Sequence, residues 1–243
     1  MRPAATFVKE MTPSMINSVS TDILIDWPPE DAIRIIGEAG FPCVEFGFKH
    51  EERYLEGRED EGERIQAIRR AAEKAGVQIL QMHGRLFNPC AGNVDEDIAW
   101  AHRSIRRAAQ LGVRWVVLHP GSAAGMGSDP EVNEWCRSRN VELFRSFVRT
   151  AVEVGTGVAV ENMIGGRRGP RFGVTVSDLL WLLAQVNSPA LGVCWDTGHA
   201  NLSRVEQGKA LRAIRTRLVA LHINDNDGEE DRHWAPFRGT IAW

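Results

Sequence analysis

Gly76–His83, GVQILQMH, and Gly112–His119, GVRWVVLH, are two copies of one pattern: a glycine, an apolar run, and a histidine seven residues after the glycine. Each glycine follows an amphipathic helix. Glu61 to Ala75 carries Ile65, Ile68 and Ala72 at helical spacing, and Asp95 to Leu111 carries Ile98, Ala101, Ile105 and Ala108. A glycine just past the last apolar turn is expected where a chain leaves a helix through the left-handed conformation. The pattern extends backwards, because Gly40 follows a helix from Pro28 to Ala39 and precedes the run Phe41 to Phe48. Gly40, Gly76 and Gly112 therefore lie 36 residues apart.

Later units keep the same order with looser spacing: helix Asn133 to Val154 then VAV, helix Val176 to Gln185 then LGVCW, and helix Val205 to Arg215 then LVALHI. With Met15 to Ser20 as the first strand, the reading contains seven strands. Apolar strands separated by helices imply a parallel sheet covered by helices. Repetition at this period without a dinucleotide fingerprint favours a (β/α)8 barrel, the TIM barrel, over a doubly wound Rossmann-like sheet. Residues 1–243 are expected to form a single domain.

Of the 243 residues, 43% are hydrophobic and 25% charged, which suits a soluble globular chain. The net charge of −3 provides no positive field to hold nucleic acid or anionic lipid. Cys43, Cys90, Cys136 and Cys194 are 47, 46 and 58 positions apart, neither a metal knuckle nor a disulfide framework, and point to a reducing compartment. The N-terminal MRPAATFVKEMTPSM lacks the apolar core of a signal peptide. The apolar run from Leu179 to Trp195 is interrupted by Gln185, Asn187, Ser188 and Pro189, too polar for a membrane span. The expected location is cytoplasmic.

Chemistry concentrates where the strands finish. Glu45 ends VEFGF's strand, His83 lies in QMHGR, His119 in VLHPG, Glu161 in VAVEN, Asp196 in CWDTGH and His222 in ALHIND. One polar residue at a strand end is usually only solvated. Six in succession point to a shared site, because the loops leaving the C-terminal ends of barrel strands build one mouth. The donors are nitrogen and carboxylate oxygen with no thiolate, which suits one divalent ion such as Mn²⁺, Zn²⁺, Co²⁺ or Mg²⁺. Period-two alternation turns Ala159 and Glu161 inward with Val160 toward the helices, and Cys194 and Asp196 inward with Trp195 outward. His199, three residues after Asp196, returns to the same site through a tight loop. Asp231 and His233 form a D-x-H pair that reads equally as an acidic surface loop. In NMIGGRRGPRFG, Arg167, Arg168 and Arg171 suit either an anion clamp or an exposed basic loop. PGSAAGMGS lacks the GK[ST] ending of a phosphate loop. His50 and His102 read as surface residues.

The segments VAVENM, GVCWDTGHANL and LHINDNDGEEDRHWAPFRGTIAW resemble the xylose isomerase-like TIM barrel superfamily, which joins sugar isomerases and epimerases to apurinic endonucleases of the endonuclease IV type. The resemblance implies Glu161, Asp196 and His222 as ligands of a divalent metal, with His199 in the pocket. It matches His83, His119, Asp231 and His233 to additional zinc ligands of the endonuclease branch. The family's fourth ligand is a glutamate on an eighth strand, beyond a motif like GTIAW, and the chain given stops at Trp243 inside that motif. The barrel is therefore expected to be truncated before its eighth strand. Either further residues or another chain, as in a homo-oligomer, would cover the gap.

The activity implied is isomerisation or epimerisation of a small sugar or similar hydroxy-carbonyl compound. Glu161 would remove the proton α to the carbonyl to give a metal-stabilised enediolate, with His199, Glu45 and Arg171 binding substrate. Two alternatives remain open: cleavage at abasic DNA by a multinuclear zinc site, which the net charge and the lack of a basic stripe disfavour, and a non-catalytic ligand-binding barrel.

Overall fold

The computed structural model describes residues 16–165 and 170–243. Met15, Arg167 and Arg168 lie outside the described residues. Seven strands alternate with helices: β1 (Ser18–Ser20), α1 (Pro29–Glu38), β2 (Cys43–Phe46), α2 (Phe48–Tyr54), α3 (Glu61–Ala75), β3 (Gln78–His83), α4 (Asp95–Leu111), β4 (Trp115–Leu118), α5 (Pro130–Val154), β5 (Gly157–Glu161), α6 (Val176–Val186), β6 (Leu191–Asp196), α7 (Thr197–Leu202), α8 (Gln207–Ile214) and β7 (Leu218–His222). Every neighbouring pair is parallel and the strand order is β1-β2-β3-β4-β5-β6-β7. A doubly wound sheet reverses its order at a switch point, and this one never does. The architecture is a seven-stranded TIM barrel with β1 and β7 at the two ends of the sheet.

The repeat glycines do what the sequence requires of them. Gly76 and Gly112 cap α3 and α4 with φ of 66° and 78°, in the left-handed region, and Gly155 does the same for α5 at 77°; at α1 the cap is Ala39, and Gly40, with φ of 92°, takes the left-handed turn one residue later. Helix α5 begins at Pro130 rather than the expected Asn133, because Asp129 accepts hydrogen bonds from the Glu131 and Val132 amides and Pro130 opens the first turn. Two short helices lie where loops were expected. In α2 the cap comes from far away: Asp22, in the 3₁₀ turn after β1, accepts from the Lys49 and His50 amides. In α7 the cap is Asp196 itself, whose Oδ1 accepts from the His199 amide at 2.7 Å.

The core divides into two. A large cluster joins the outward residues of the strands, among them Val116, Val160 and Trp195, to the helices. A small one holds Val117, Ala159, Cys194 and Ala220, one inward residue from each of β4 to β7. The expected small-in, large-out alternation on β5 and β6 is therefore present.

Neither His50 nor His102 is a surface residue. His50 is fully buried, with Nδ1 2.9 Å from the Thr21 hydroxyl and Nε2 3.0 Å from the Trp27 carbonyl. His102 is half-buried between α4 and α5, with Nδ1 2.8 Å from the Thr150 hydroxyl and its ring against Phe147. Both face partners on other elements, which helical spacing alone does not reveal. Among the described residues, no helix is long and apolar enough to cross a membrane.

Candidate functional site

Two residues above each member of the small interior layer stands a residue with chemistry. Val117 is followed by His119, Ala159 by Glu161, Cys194 by Asp196, and Ala220 by His222. Side chains two apart on a strand share a face, so the four converge at the C-terminal end of the sheet. Glu45 from β2 and His83 from β3 join them, lining a cavity of about 570 Å³ together with His199, Asp231 and His233. Nine of the ten expected site residues thus share one cavity. The tenth, Arg171, is exposed and lines a neighbouring cavity beside Asn88 and Pro120.

Glu161 is the centre. Its side chain is 1% exposed. Oε2 lies 2.9 Å from His119 Nε2 and 3.4 Å from His83 Nε2, while Oε1 lies 2.9 Å from His222 Nδ1 and 3.6 Å from His199 Nδ1. Asp196 Oδ2 stands 3.9 Å from His222 Nδ1 and accepts from the Asn224 side-chain Nδ2 at 2.9 Å. His222 Nε2 meets Glu45 Oε2 at 2.8 Å, and Gln81 donates to that same oxygen. The D-x-H pair reaches the cluster through Asp231, whose Oδ2 lies 3.7 Å from His199 Nε2 and 3.1 Å from His233 Nε2. His233 itself is 62% exposed, at the rim.

Burial opposes charge throughout, and the neighbours decide each outcome. Burial would raise the Glu161 carboxyl, yet the His222 and His119 imidazoles hold it well below the usual carboxylate range. Glu45 is likewise held down against burial by His222 and His83. Asp196 goes the other way, raised chiefly by burial. Burial would lower His222, but Cys194, Glu161 and Glu45 lift it well above its ordinary value. His199 is lifted to about 9 against burial by Asp231, Asp196 and Glu161. His119 is lowered by burial.

These donors fit a divalent cation. His83, His119 and Glu161 form one group, and Glu161, Asp196 and His199 another, in each of which the ligand atoms lie within 4.8 Å of one another. The His83 and His199 rings are fixed by their Nδ1 atoms, each 2.8 Å from a backbone carbonyl, of Gly84 and Asn162 respectively. With Nδ1 donating, Nε2 carries the lone pair a metal takes.

Supporting residues were less legible. Gln81 sits two residues before His83 on the same face of β3, so period-two alternation would have found it. Asn162 donates to the Asp196 carbonyl at 3.0 Å and accepts from the Asp196 amide at 2.6 Å, tying β5 to β6. Its role depends on register between strands, which no local signal carries.

A family model described as xylose isomerase-like TIM barrel matches residues 33–243. Among proteins of known sequence, the chain is 30% identical over 144 residues to an uncharacterised protein of Methanocaldococcus jannaschii, covering 57% of this chain and 46% of that protein. It is 27% identical over 190 residues to a probable endonuclease 4 of Geobacter sulfurreducens, covering 70% and 62%. The chain thus spans about half to two thirds of the length of these relatives. Among solved structures, a D-tagatose 3-epimerase-like protein superposes with a TM-score of 0.78 at 23% identity, covering 94% of this chain and 83% of that one. A 3-keto-D-glucoside 4-epimerase from E. coli gives 0.75 at 17%, covering 94% and 84%.

Proposed function

Since the chain belongs to the xylose isomerase-like TIM barrel family, we propose that it is a divalent-metal-dependent isomerase or epimerase of a small sugar or sugar-like hydroxy-carbonyl compound, with Glu161 as base. One observation carries this reading: a buried carboxylate on β5 is ringed by imidazoles from four other segments of the barrel mouth. Such a group stays ionised at neutral pH and faces a cavity large enough for a monosaccharide.

Glu161, Asp196 and His222 would hold the ion, with His83, His119, His199, Asp231 and His233 within the same cluster. A bound divalent ion supplies Lewis acidity toward adjacent carbonyl and hydroxyl oxygens. Glu161 would take the proton from the hydroxyl-bearing carbon α to the carbonyl, leaving an enediolate, and return of a proton to carbon would complete the isomerisation. His199, anchored through Nδ1, presents Nε2 to the cavity and orients a substrate oxygen. The small layer of Val117, Ala159, Cys194 and Ala220 closes the floor against water from below.

The test is exchange of the substrate's α-proton with heavy water across a panel of ketoses, together with metal analysis of the purified chain. One bound ion and exchange that Glu161→Gln abolishes, with the fold intact, are expected. Exchange that survives Glu161→Gln overturns the assignment of the base.

A second reading, hydrolysis at abasic DNA, draws support from the Asp231 contact to His199 and from the endonuclease 4 relatives. Three zinc ions per chain and nicking of an abasic duplex would displace the first reading.

A further inference from the structure

The imidazole of His222 is oriented differently from those of His83 and His199. The latter two point a ring nitrogen at a backbone carbonyl, which no side-chain change removes. His222 Nε2 points instead at a carboxylate 177 residues earlier in the chain, Glu45 Oε2, at 2.8 Å. β2 and β7, which carry the two residues, are not neighbours in the sheet. The contact therefore spans the barrel interior. Gln81, paired in register with Glu45 on the adjoining β3, donates to the same Oε2 and holds the carboxylate in place. Glu45 is 7% exposed, with the ring and the amide converging on that one oxygen.

From this the geometry points to Glu45 as a positioning residue, not a substrate-binding one: by accepting the Nε2–H of His222, it fixes the tautomer that leaves Nδ1 free for a cation shared with Glu161 and Asp196. A carboxylate offers only acceptors. Both ring nitrogens of His222 face carboxylates, Nδ1 that of Glu161 and Nε2 that of Glu45, so the ring that takes a cation gives up the Nδ1 proton on the side of the ligands while Glu45 keeps the proton on Nε2. Nδ1 lies 2.9 Å from Glu161 Oε1 and 3.9 Å from Asp196 Oδ2, so it already faces the other two ligands. A carboxylate behind a ligand histidine also makes the ring a stronger donor and stops it turning. Glu45 thus links β2 to a site otherwise built by β3 to β7 and α7. The assignment rests on the metal-dependent reading above.

Mn²⁺ binding by calorimetry, and the ¹⁵N shifts of the His222 ring in the metal-free protein at alkaline pH, where the ring is neutral, test it in the wild type, Glu45→Ala and Glu45→Gln. Glu45→Ala is expected to weaken Mn²⁺ binding by about 10- to 100-fold, the usual effect of removing a group behind a metal ligand. The ring shifts should move from a single Nε2–H form to a mixture of tautomers. Glu45→Gln keeps an acceptor oxygen and should fall between the two, which also carries the test should the alanine variant not fold. Wild-type affinity and an unchanged tautomer in the variants overturn the role of Glu45 while leaving the metal reading standing. A wild-type protein that binds no Mn²⁺ or Zn²⁺ overturns the metal reading, and the role of Glu45 with it.

Discussion

Ala159 and Glu161 stand two residues apart on the same face of β5, so the central carboxylate of the site rests directly above a methyl group in a fully buried layer. The other members of that layer, Val117, Cys194 and Ala220, pack with it in one buried cluster. Ala159→Leu forces added methylenes into this layer and should cost about 1–3 kcal/mol of stability. Because the strain acts beneath Glu161, metal affinity should fall as well. Denaturant unfolding together with calorimetry reads both. A stable Ala159→Leu protein with unchanged metal binding would show the layer to be looser than its burial implies.

Away from the site, Arg107 on α4 and Glu51 on α2 form an ion pair with side chains 1% and 0% exposed. Arg107 also reaches Glu56 and Glu61, and Ser104 donates to Glu51. Removing one partner of a buried pair leaves a bare charge, so Arg107→Met should cost about 3–5 kcal/mol. Burial already pushes the Glu51 carboxyl up against the pull of Arg107. Without Arg107 it rises further, and its protonation relieves the deficit as pH falls. The loss should therefore be largest near neutral pH and shrink toward pH 5, in urea titrations at several pH values. Glu51→Leu combined with Arg107→Met should recover part of it. An equal deficit at every pH would argue against an uncompensated carboxylate.

His50 supplies a dependence of the opposite sign. The Gly47 amide donates to the Thr21 hydroxyl, which donates to His50 Nδ1, while Nε2 donates to the Trp27 carbonyl. That chain of donors accepts only the neutral ring. Burial lowers the pKa of His50, with Asp22 and the Trp27 carbonyl opposing and Arg53 reinforcing the shift. A folded pKa below the unfolded value gives stability that is present above about pH 6.5 and lost as pH falls through the folded value. The wild type should lose more stability between pH 7 and 5 than His50→Gln does. Parallel pH profiles of melting temperature for the two proteins would refute it.

The helix-capping glycines offer the cleanest measure of what was readable in advance. Gly112 has φ of 78° and open space where a Cβ would stand, so substitution there meets backbone strain and no collision. Gly112→Ala should cost about 1 kcal/mol and Gly112→Asn less, because asparagine tolerates the left-handed region better. Equal melting temperatures for wild type and Gly112→Ala would contradict the conformational argument.

The 36-residue spacing of such glycines made the barrel legible, since each marks where a helix turns back into a strand. Six strand-end residues were legible for the same reason: alternation and strand length determine where a polar side chain emerges. What stayed hidden depends on distant partners. Asp22 caps α2 from 26 residues before that helix, and Glu45 meets His222 from 177 positions away. That Arg171 lines a second cavity with Pro120 and Asn88 likewise depends on segments far apart in the chain. No periodicity in the chain encodes such contacts.

Cation binding at this site is coupled to the protons on its histidines. In the metal-free protein His222 is held well above its ordinary value and His199 is lifted to about 9, so near neutral pH both rings carry protons on nitrogens that face the carboxylates. A cation held by Glu161, Asp196 and His222 must displace the His222 proton, and its charge disfavours the proton on the nearby His199. Binding should therefore release protons, and affinity should rise with pH from 6 toward 9. Calorimetry in two buffers of different ionisation enthalpy counts the protons released. Because an ion that binds only the folded state stabilises it by about 4 kcal/mol at a thousand times its dissociation constant, saturating Mn²⁺ should also raise the melting temperature, and a chelator should reverse the rise. Affinity that is flat across this pH range would place the ion on donors other than these histidines.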